Sequence, residues 1–177
     1  PYTDYSDPQN LRTGNPDLKP EYTNSFELSY NKFFGQTNVM ATLYYRNTND
    51  EITYYTEPFN NSTDTLIRYA INAHTSNAYG AEFTLQTQIT NWWNVTGNVN
   101  LFQTDISANV KSQSLNNSKF SWFGKLNSDM KLPASFSVQV SGQYNAPFPT
   151  PQGTSKDFGG VDLGLKKALI KKKNASL

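Results

Sequence analysis

Nine consecutive residues decide the fold: Phe136-Ser137-Val138-Gln139-Val140-Ser141-Gly142-Gln143-Tyr144. Apolar or small residues alternate here with polar ones, and a period of two residues is that of a β-strand with one apolar and one polar face. The same alternation recurs over most of the chain after residue 21, in the apolar series Phe26, Leu28 and Tyr30; Val39, Ala41, Leu43 and Tyr45; Ala81, Phe83 and Leu85; Val95, Gly97, Val99 and Leu101; Phe120, Trp122, Gly124 and Leu126; and Val161, Leu163 and Leu165. No helical spacing of comparable length occurs, and the sequence therefore predicts an all-β protein.

The alternating segments are longer than the strands of most soluble proteins. They run over roughly 13 residues or more, for example at 22–34, 119–132 and 135–148, whereas soluble strands have about five or six residues. At about 3.3 Å per residue, about 13 residues extend some 43 Å, and a tilt of about 45° reduces this to about 30 Å, the thickness of the hydrocarbon core of a bilayer. The strands are therefore long enough to span a membrane.

Short and long connections alternate along the chain. Short ones are predicted at Gly35, Thr90-Asn91, Pro133-Ala134 and Lys172-Lys173-Asn174, and long polar ones at about 58–64, 108–117 and 149–156. Membrane barrels of the outer membrane have short periplasmic turns and longer outer loops. The sequence thus predicts an antiparallel up-and-down meander of about seven to eight long strands, a fragment of a transmembrane β-barrel. Asn61, Asn116 and Gln152 are the candidate contacts for a ligand or partner, because they fall in the predicted outer loops.

The positions of the charged residues agree with a sheet that turns one face towards lipid. Six charged residues occupy the parity opposite to the apolar series: Glu27, Arg46, Glu82, Lys125, Asp129 and Asp162. Arg or Lys on the lipid side at the midplane costs about 2–4 kcal/mol, and the cost falls towards zero near the interfaces. Lys32 and Lys167 break the parity, but both lie near a predicted rim. Phe33, Phe34, Trp92 and Trp93 fall at the same short-turn rim, as an aromatic girdle would.

Composition excludes several function classes. The 177 residues include no Cys and one His, His74, so neither a disulfide framework nor a cluster of Cys or His metal ligands is available. The net charge of +1 lacks the basic footprint of a nucleic-acid-binding protein. Asn, Thr and Ser make up 55 residues, and 14% of the chain is aromatic, which is typical of a β-protein with one wet side. We expect no cofactor, no bound metal and no nucleic-acid partner.

A resemblance to a known family rests on two motifs. The first is Leu11-Arg12-Thr13-Gly14-Asn15-Pro16-Asp17-Leu18-Lys19-Pro20-Glu21, followed by Tyr22-Thr23-Asn24-Ser25-Phe26-Glu27-Leu28. It resembles the Gly-Asn-Pro-x-Leu-x-Pro-Glu signature of TonB-dependent outer-membrane receptors. The second is Asn72 followed by Tyr79-Gly80-Ala81-Glu82-Phe83, which is similar to the later Asn…Gly-x-Glu strand motif of those receptors. The chain most resembles the subgroup known as the outer-membrane protein β-barrel family.

The resemblance implies a division of the chain and a set of structural residues. Residues 1–21 would form a loop on the extracellular side, and residues 22–177 the late strands of a barrel that is incomplete at its C-terminus. The motif residues are expected to be structural and not ligand-binding: Gly14, Asn15, Pro16, Leu18, Pro20, Glu21, Asn72, Gly80 and Glu82. Glu21 in particular can accept hydrogen bonds from unpaired backbone donors where the first long strand begins.

The resemblance also implies a function and its partners. The parent protein would import a scarce nutrient across the bacterial outer membrane, with energy passed from TonB through a plug domain. Its partners would be TonB, outer-membrane lipid, the plug and the remaining strands of the parent chain. The resemblance leaves open whether a surface lipoprotein also caps the barrel. The sequence names no cargo.

Two other readings compete with a transporter. A soluble extracellular β-domain for adhesion or glycan binding shares the composition, but it predicts shorter strands and two buried inner faces. An outer-membrane enzyme would need a nucleophile context such as Gly-x-Ser-x-Gly, which the sequence lacks. We therefore expect no catalytic residue and no enzymatic activity.

Overall fold

The computed structural model describes residues 2–62, 64–72, 75–110 and 113–168. This part of the chain is almost entirely β-structure, with single 3-10 turns at Phe59–Asn61 and Pro133–Ser135. Among the described residues, no helix has the length and apolar character needed to cross a membrane. The strands are β1 Thr3–Asp4, β2 Asn10–Thr13, β3 Tyr22–Phe34, β4 Thr37–Asn49, β5 Ile52–Pro58, β6 Leu66–Asn72, β7 Thr75–Thr90, β8 Trp93–Val110, β9 Gln113–Leu132, β10 Phe136–Asn145, β11 Pro149–Thr150, β12 Gly153–Thr154 and β13 Phe158–Lys167.

Seven of the strands form one large sheet, which we call the wall. Its order is β3-β4-β7-β8-β9-β10-β13, and every neighbouring pair is antiparallel. Three of its strands have 16 to 20 residues, well beyond the usual length of a soluble strand. The predicted antiparallel up-and-down meander of long strands is confirmed.

Register separates the wall into two chemically distinct faces. Leu43 lies opposite Leu28 on one side and Ala81 on the other, and directly opposed residues project from the same face. The apolar face so formed carries Leu28, Leu43, Phe83, Val99, Leu126, Val140 and Leu163. The polar face carries all six charges that the sequence assigned to it, including the ion pair in which Arg46 Nη2 lies 3.0 Å from Glu27 Oε1.

Neither face of the wall is covered along its middle. Leu28 is 71% exposed and Leu163 is 75% exposed on the apolar face. A soluble sandwich would bury two inner faces against each other. The described residues form no second sheet against the apolar face, so the arrangement that the soluble alternative requires is not present in them.

The short connections lie at one edge of the wall, which we call the short-turn rim. The three predicted ones in the described residues are confirmed, at Gly35-Gln36, Asn91-Trp92 and Pro133–Ser135; Lys172, Lys173 and Asn174 lie outside the described residues. Gly35 adopts a φ of 60°, which glycine reaches without steric cost. Tight turns at this edge leave the long connections to the opposite edge, the long-loop rim.

Aromatic side chains gather at the short-turn rim. The rings of Trp92 and Trp93 stack with centroids 6.1 Å apart, and Trp93 Nε1 donates a hydrogen bond to Ser128 Oγ at 2.8 Å. The two lysines that break the parity pattern lie here as well. Lys32 Nζ is 4.9 Å from the ring centroid of Phe34, and Lys167 Nζ is 4.7 Å from that of Phe136. Each cation therefore rests on an aromatic ring at the edge of the sheet.

One of the three predicted long loops is wrong. At 108–117 the strands continue, since Ala108 pairs with Leu115 and Val110 pairs with Gln113. Asn116 therefore lies in β9, opposite Ser107, and not in a loop. The reason is that the segment is covered: Ala108 is 0% exposed, and burial stabilises strand pairing that the polar Asn and Ser residues alone would not favour.

The N-terminal residues also differ from the prediction of a loop over 1–21. β1 pairs with β2, and β2 pairs in parallel with β6, which in turn pairs with β5. These four strands form a small sheet, the outer sheet. β2 has four residues with Leu11 as its one apolar member, which is too short for a period to be detected. The predicted loop at 58–64 is the tip of the β5–β6 hairpin.

The outer sheet and the β11–β12 hairpin lie at the long-loop rim, and together we call them the outer layer. Asn117 Nδ2, on the polar face, donates hydrogen bonds to the carbonyls of Thr150 and Gly153. Ser121 Oγ, also on the polar face, donates to Ala146 O at 3.2 Å, and this serine is only 2% exposed. Segment 146–154 therefore folds over the polar face of the wall and not over its apolar face.

Candidate functional site

The candidate site is the outer layer above the polar face, and Asn15 of the first motif fixes part of it. Its Nδ2 donates a hydrogen bond to Ala70 O at 2.9 Å, 55 residues away in the chain. Its Oδ1 accepts one from the backbone N–H of Asp17 at 3.0 Å, which closes a local turn. One side chain therefore shapes the turn and joins it to β6.

Asn72, from the second motif, binds the same segment from the last residue of β6, two residues after Ala70. Its Oδ1 accepts a hydrogen bond from the N–H of Lys19 at 2.9 Å, and its Nδ2 donates to Lys19 O at 2.9 Å. The same Nδ2 donates to Asp50 O at 2.7 Å. Lys19 stands between Leu18 and Pro20, where proline removes a backbone donor. Asn72 therefore supplies the pairing that a neighbouring strand cannot.

Glu21 completes this group at the start of β3. Its Oε2 accepts a hydrogen bond from the N–H of Ile52 at 2.9 Å, at the first residue of β5. Asn15, Glu21 and Asn72 thus converge on one junction between the N-terminal segment, the wall and the outer sheet. Gly14, Pro16, Leu18 and Pro20 lie in the same segment. Gly14 has no atom within 4 Å of the position that a Cβ would occupy, and it borders a recess.

Gly80 and Glu82, the other two motif residues, lie apart from that junction on the polar face of β7. A Cβ on Gly80 would be 2.5 Å from Leu101 O and 2.9 Å from the hydroxyl of Tyr44. The missing side chain lets Tyr44 cross β7 and donate to Asn100 Oδ1 on β8 at 3.1 Å. Glu82 Oε1 accepts a hydrogen bond from Asn98 Nδ2 at 2.6 Å. Both residues therefore brace neighbouring strands of the wall.

The three candidate contact residues are not gathered in one place. Asn61 ends the 3-10 turn at the tip of the β5–β6 hairpin, and Asn116 lies in β9. Gln152 lies in the turn between β11 and β12, as its predicted loop requires. Its Oε1 accepts from the N–H of Thr56 at 2.7 Å and its Nε2 donates to Thr56 O at 2.8 Å. The Gln152 amide is therefore engaged with the chain itself, where it acts as a strand partner for β5.

Sequence reasoning missed a recess of about 470 Å³ on the outer sheet. Arg12 and Arg68 line it together with Tyr54, and the guanidinium carbon of Arg68 lies 4.2 Å from the centroid of the Tyr54 ring. Asp4 also lines it. A hydrogen bond from the N–H of Ser6 holds the pKa of the Asp4 carboxyl below its usual value, and the charge of Arg12 adds to this. Arg12 lies within the first motif stretch, but it is not one of the signature residues, and no motif or period marks Arg68 or Tyr54.

The titratable residues of the described part of the chain form no cluster of the kind that holds a metal ion. No three of its His, Cys, Asp or Glu residues come together where they could hold a metal ion, and His74 lies outside the described residues. Asp105, which has the parity of the apolar series near the long-loop end of β8, accepts hydrogen bonds from Gln103 and Ser118. One cavity of about 770 Å³ is lined mainly by residues of the apolar face, including Phe83, Trp122 and Leu126. It is a depression in the surface that would face lipid.

The sequence matches, over residues 1–177, a family model described as the outer membrane protein beta-barrel family. The chain belongs to this family. Membership confirms the prediction of a membrane β-barrel segment and its location in the bacterial outer membrane. The apolar face of this family member is therefore its lipid side and the polar face its lumen side.

Comparison with solved structures finds a similar chain in the FrpB iron transporter from Neisseria meningitidis, F3-3 variant. The identity is 16% and the TM-score is 0.48, over 87% of this chain and 25% of the transporter. The family member thus spans about a quarter of that transporter. No curated protein matches its sequence.

Proposed function

We propose that this chain forms late strands and outer loops of a TonB-dependent receptor that imports a nutrient across the outer membrane without changing it chemically. The observation that carries the proposal is the outer layer, which covers the lumen side of the wall at the long-loop rim. A lumen covered from outside suits a receptor that captures a ligand before it passes inward. The Gly-Asn-Pro-x-Leu-x-Pro-Glu motif supports the same conclusion by its resemblance.

Two buried residues show how closely the outer layer is joined to the wall. Ile106 and Ala108 are apolar side chains on the polar face, and they are 9% and 0% exposed. A water-filled lumen would leave such side chains wet, so their burial depends on the segment folded over them. The cover is therefore a packed part of the protein, as a receptor with a defined binding surface needs.

The open edges of the wall define the partners that we propose. β3 and β13 each pair on one side only among the described residues. Unpaired strand edges are not stable in lipid, where each unsatisfied backbone group costs several kcal/mol. We therefore propose that further strands of the parent chain close the barrel, with residues 1–21 on its outer side and residues 22–177 supplying late barrel strands and the outer connections between them. A plug domain, TonB and a surface lipoprotein complete the proposed assembly.

Cysteine labelling tests the orientation, since the chain has no Cys of its own. Lys156 lies at the long-loop rim and Asn91 at the short-turn rim, so the variants Lys156→Cys and Asn91→Cys are made in the intact protein. A membrane-impermeant maleimide should label Lys156→Cys on whole cells and should label Asn91→Cys only after the outer membrane is permeabilised. Equal labelling of both on intact cells would overturn the proposed orientation.

Dependence on TonB is tested by binding. The intact protein in detergent should bind the periplasmic domain of TonB from the same bacterium, and it should conduct ions poorly in a planar bilayer because a plug fills its lumen. A protein that fails to bind TonB and conducts freely would be a passive pore. That result would overturn the receptor proposal and leave the barrel in place.

A further inference from the structure

We propose that the recess on the outer sheet binds an acidic saccharide. Its carboxylate or phosphate would lie between the guanidinium groups of Arg12 and Arg68, and its ring would lie against a tyrosine. The inference deepens the proposed function by naming a ligand class. It rests on that function in one respect: the proposed orientation of the barrel turns the recess towards the cell exterior. Nothing in the motifs of the sequence assigns this site.

The register of the outer sheet brings the two arginines together. Arg12 of β2 and Arg68 of β6 are direct partners in a parallel pair, so both side chains project from the same face. Neighbouring strands are about 4.8 Å apart, and like charges at such opposed positions are destabilising. An oxyanion between the two guanidiniums would remove that repulsion and accept hydrogen bonds from both.

Neither arginine is neutralised within the described residues. The one ion pair found there joins Arg46 to Glu27 on the wall. Asp4 lies opposite Arg12 on β1, but no Asp4 oxygen approaches Arg12 closely enough to form an ion pair, and Asp4 Oδ1 accepts from the N–H of Ser6 at 2.9 Å. The recess therefore holds two exposed cations and one carboxylate, which leaves it positive.

Tyrosine supplies the second part of the recognition. The Tyr54 ring holds the Arg68 guanidinium by a cation-π contact at 4.2 Å, which orients the fork before a ligand arrives. Tyr54 is 59% exposed and Tyr2, at the same recess, is 86% exposed. Tyrosine rings are apolar platforms with a polar end, and they suit the faces and hydroxyls of a sugar ring.

The remaining features favour a saccharide over a lipid headgroup. Asp4 can accept hydrogen bonds from the hydroxyls of a sugar ring. The recess, about 470 Å³, has the size of a small-ligand site. The Gln152 contact with β5 places the outer sheet beside the hairpin that covers the lumen side. The recess is therefore joined to the covered, lumen side of the wall and not to its lipid side.

Binding to the purified intact protein in detergent tests the site. Tetragalacturonate is the acidic probe, and maltotetraose is the neutral probe of equal ring number. Wild-type protein should bind tetragalacturonate alone, and the double variant R12Q/R68Q should bind it at least about tenfold more weakly, since hydrogen bonds to charged groups are each worth a factor of this order. Lys156→Gln removes one positive charge elsewhere at the long-loop rim and should change binding less than about twofold.

Two further variants separate the role of each group from a loss of folding. R12K/R68K keeps the charge without the bidentate fork and should recover part of the affinity that R12Q/R68Q loses. Tyr54→Leu keeps an apolar contact and should weaken binding about threefold. Wild-type protein that does not bind tetragalacturonate, or R12Q/R68Q that binds it like wild type, would overturn the site.

A second binding experiment, with lipid vesicles, distinguishes a saccharide from a lipid headgroup as the source of the oxyanion. Intact protein that binds phosphatidylglycerol vesicles through Arg12 and Arg68, but not tetragalacturonate, would overturn the saccharide and assign the arginines to membrane lipid. Failure of the site also differs from failure of the receptor. Saccharide binding without TonB binding would overturn the receptor alone, and TonB binding without saccharide binding would overturn the site alone.

Discussion

In the wall Leu28 remains 71% exposed, whereas in the outer layer Leu11 is 3% exposed. The wall has no core of its own, because its strands are held by backbone ladders and its apolar face is left for lipid to cover. The outer layer works in water and so buries Leu11 and Ile71 and adds side-chain hydrogen bonds from Asn15, Asn72 and Gln152. The two regions are therefore stabilised differently, the wall for contact with lipid and the outer layer for contact with water.

A charge on the apolar face should have the largest effect, because a charged side chain in contact with lipid is costly. Leu43 lies midway along β4, and Leu43→Arg should lower the free energy of unfolding of the intact protein in lipid vesicles by about 3 kcal/mol. Thr42→Arg is the matched control, since Thr42 lies on the polar face opposite Glu82. Denaturant titration measures both. Equal losses for the two variants would mean that the faces are not solvated differently.

Removal of a buried side chain should affect the outer layer and leave the wall unchanged. Leu11→Ala should lower the free energy of local opening of the outer sheet by about 2–3 kcal/mol, as large-to-small changes in a core do. Hydrogen exchange at the amides of β6 reports that opening. Leu28→Ala makes the same chemical change on the wall and should leave exchange in β6 as it is. A comparable rise with Leu28→Ala would show that the two regions are one cooperative unit.

Loss of the Asn72 side chain should come next in size. Asn72→Ala removes three hydrogen bonds to the backbone, two of them to Lys19, and should cost about 1.5 kcal/mol because the group is partly wet. Limited proteolysis of the segment around Lys19 should accelerate about tenfold. Asn31→Ala, at an exposed position on β3, is the control and should leave the cleavage rate unchanged.

The Gln152 contact should give the smallest effect. Gln152→Ala removes two exposed hydrogen bonds to Thr56 and should cost about 1 kcal/mol or less. A spin label at Lys156→Cys should become more mobile, since the hairpin is then held mainly by Asn117. Gln152→Glu keeps the acceptor and loses the donor, so it should give an intermediate mobility. An unchanged spectrum with Gln152→Ala would show that Asn117 alone fixes the hairpin.

The same contrast explains what could be predicted from sequence. The wall was predictable because lipid on one face and water on the other impose a strict period of two over many residues. Its strand order, its short turns and the face of all six charges followed from that period. Only the long-loop rim departed from expectation, because Asn116 lies in a strand where polar composition predicted a loop.

The outer layer was not predictable in the same way, because its contacts join segments that are far apart in sequence. A four-residue strand such as β2 carries no period, and a parallel pairing with β6 has no local signal. The two motifs marked Asn15, Glu21 and Asn72 but not their partners. One signal was available for the cover: Ile106 and Ala108 are apolar at positions of polar parity, which indicates that something packs on them.

The pairing of β2 with β6 constrains the order in which the protein folds. Asn15 and Ala70 are 55 residues apart, and closing so long a chain directly is entropically costly. The β3–β4 hairpin shortens the path, since Tyr22 and Asn49 are paired at its open end. The hairpin should therefore form first and the outer sheet assemble afterwards on a wall that already exists, which pulse-labelled amide exchange during refolding would record. A surface built in this order can exist only on a wall whose β3–β4 hairpin is already in place.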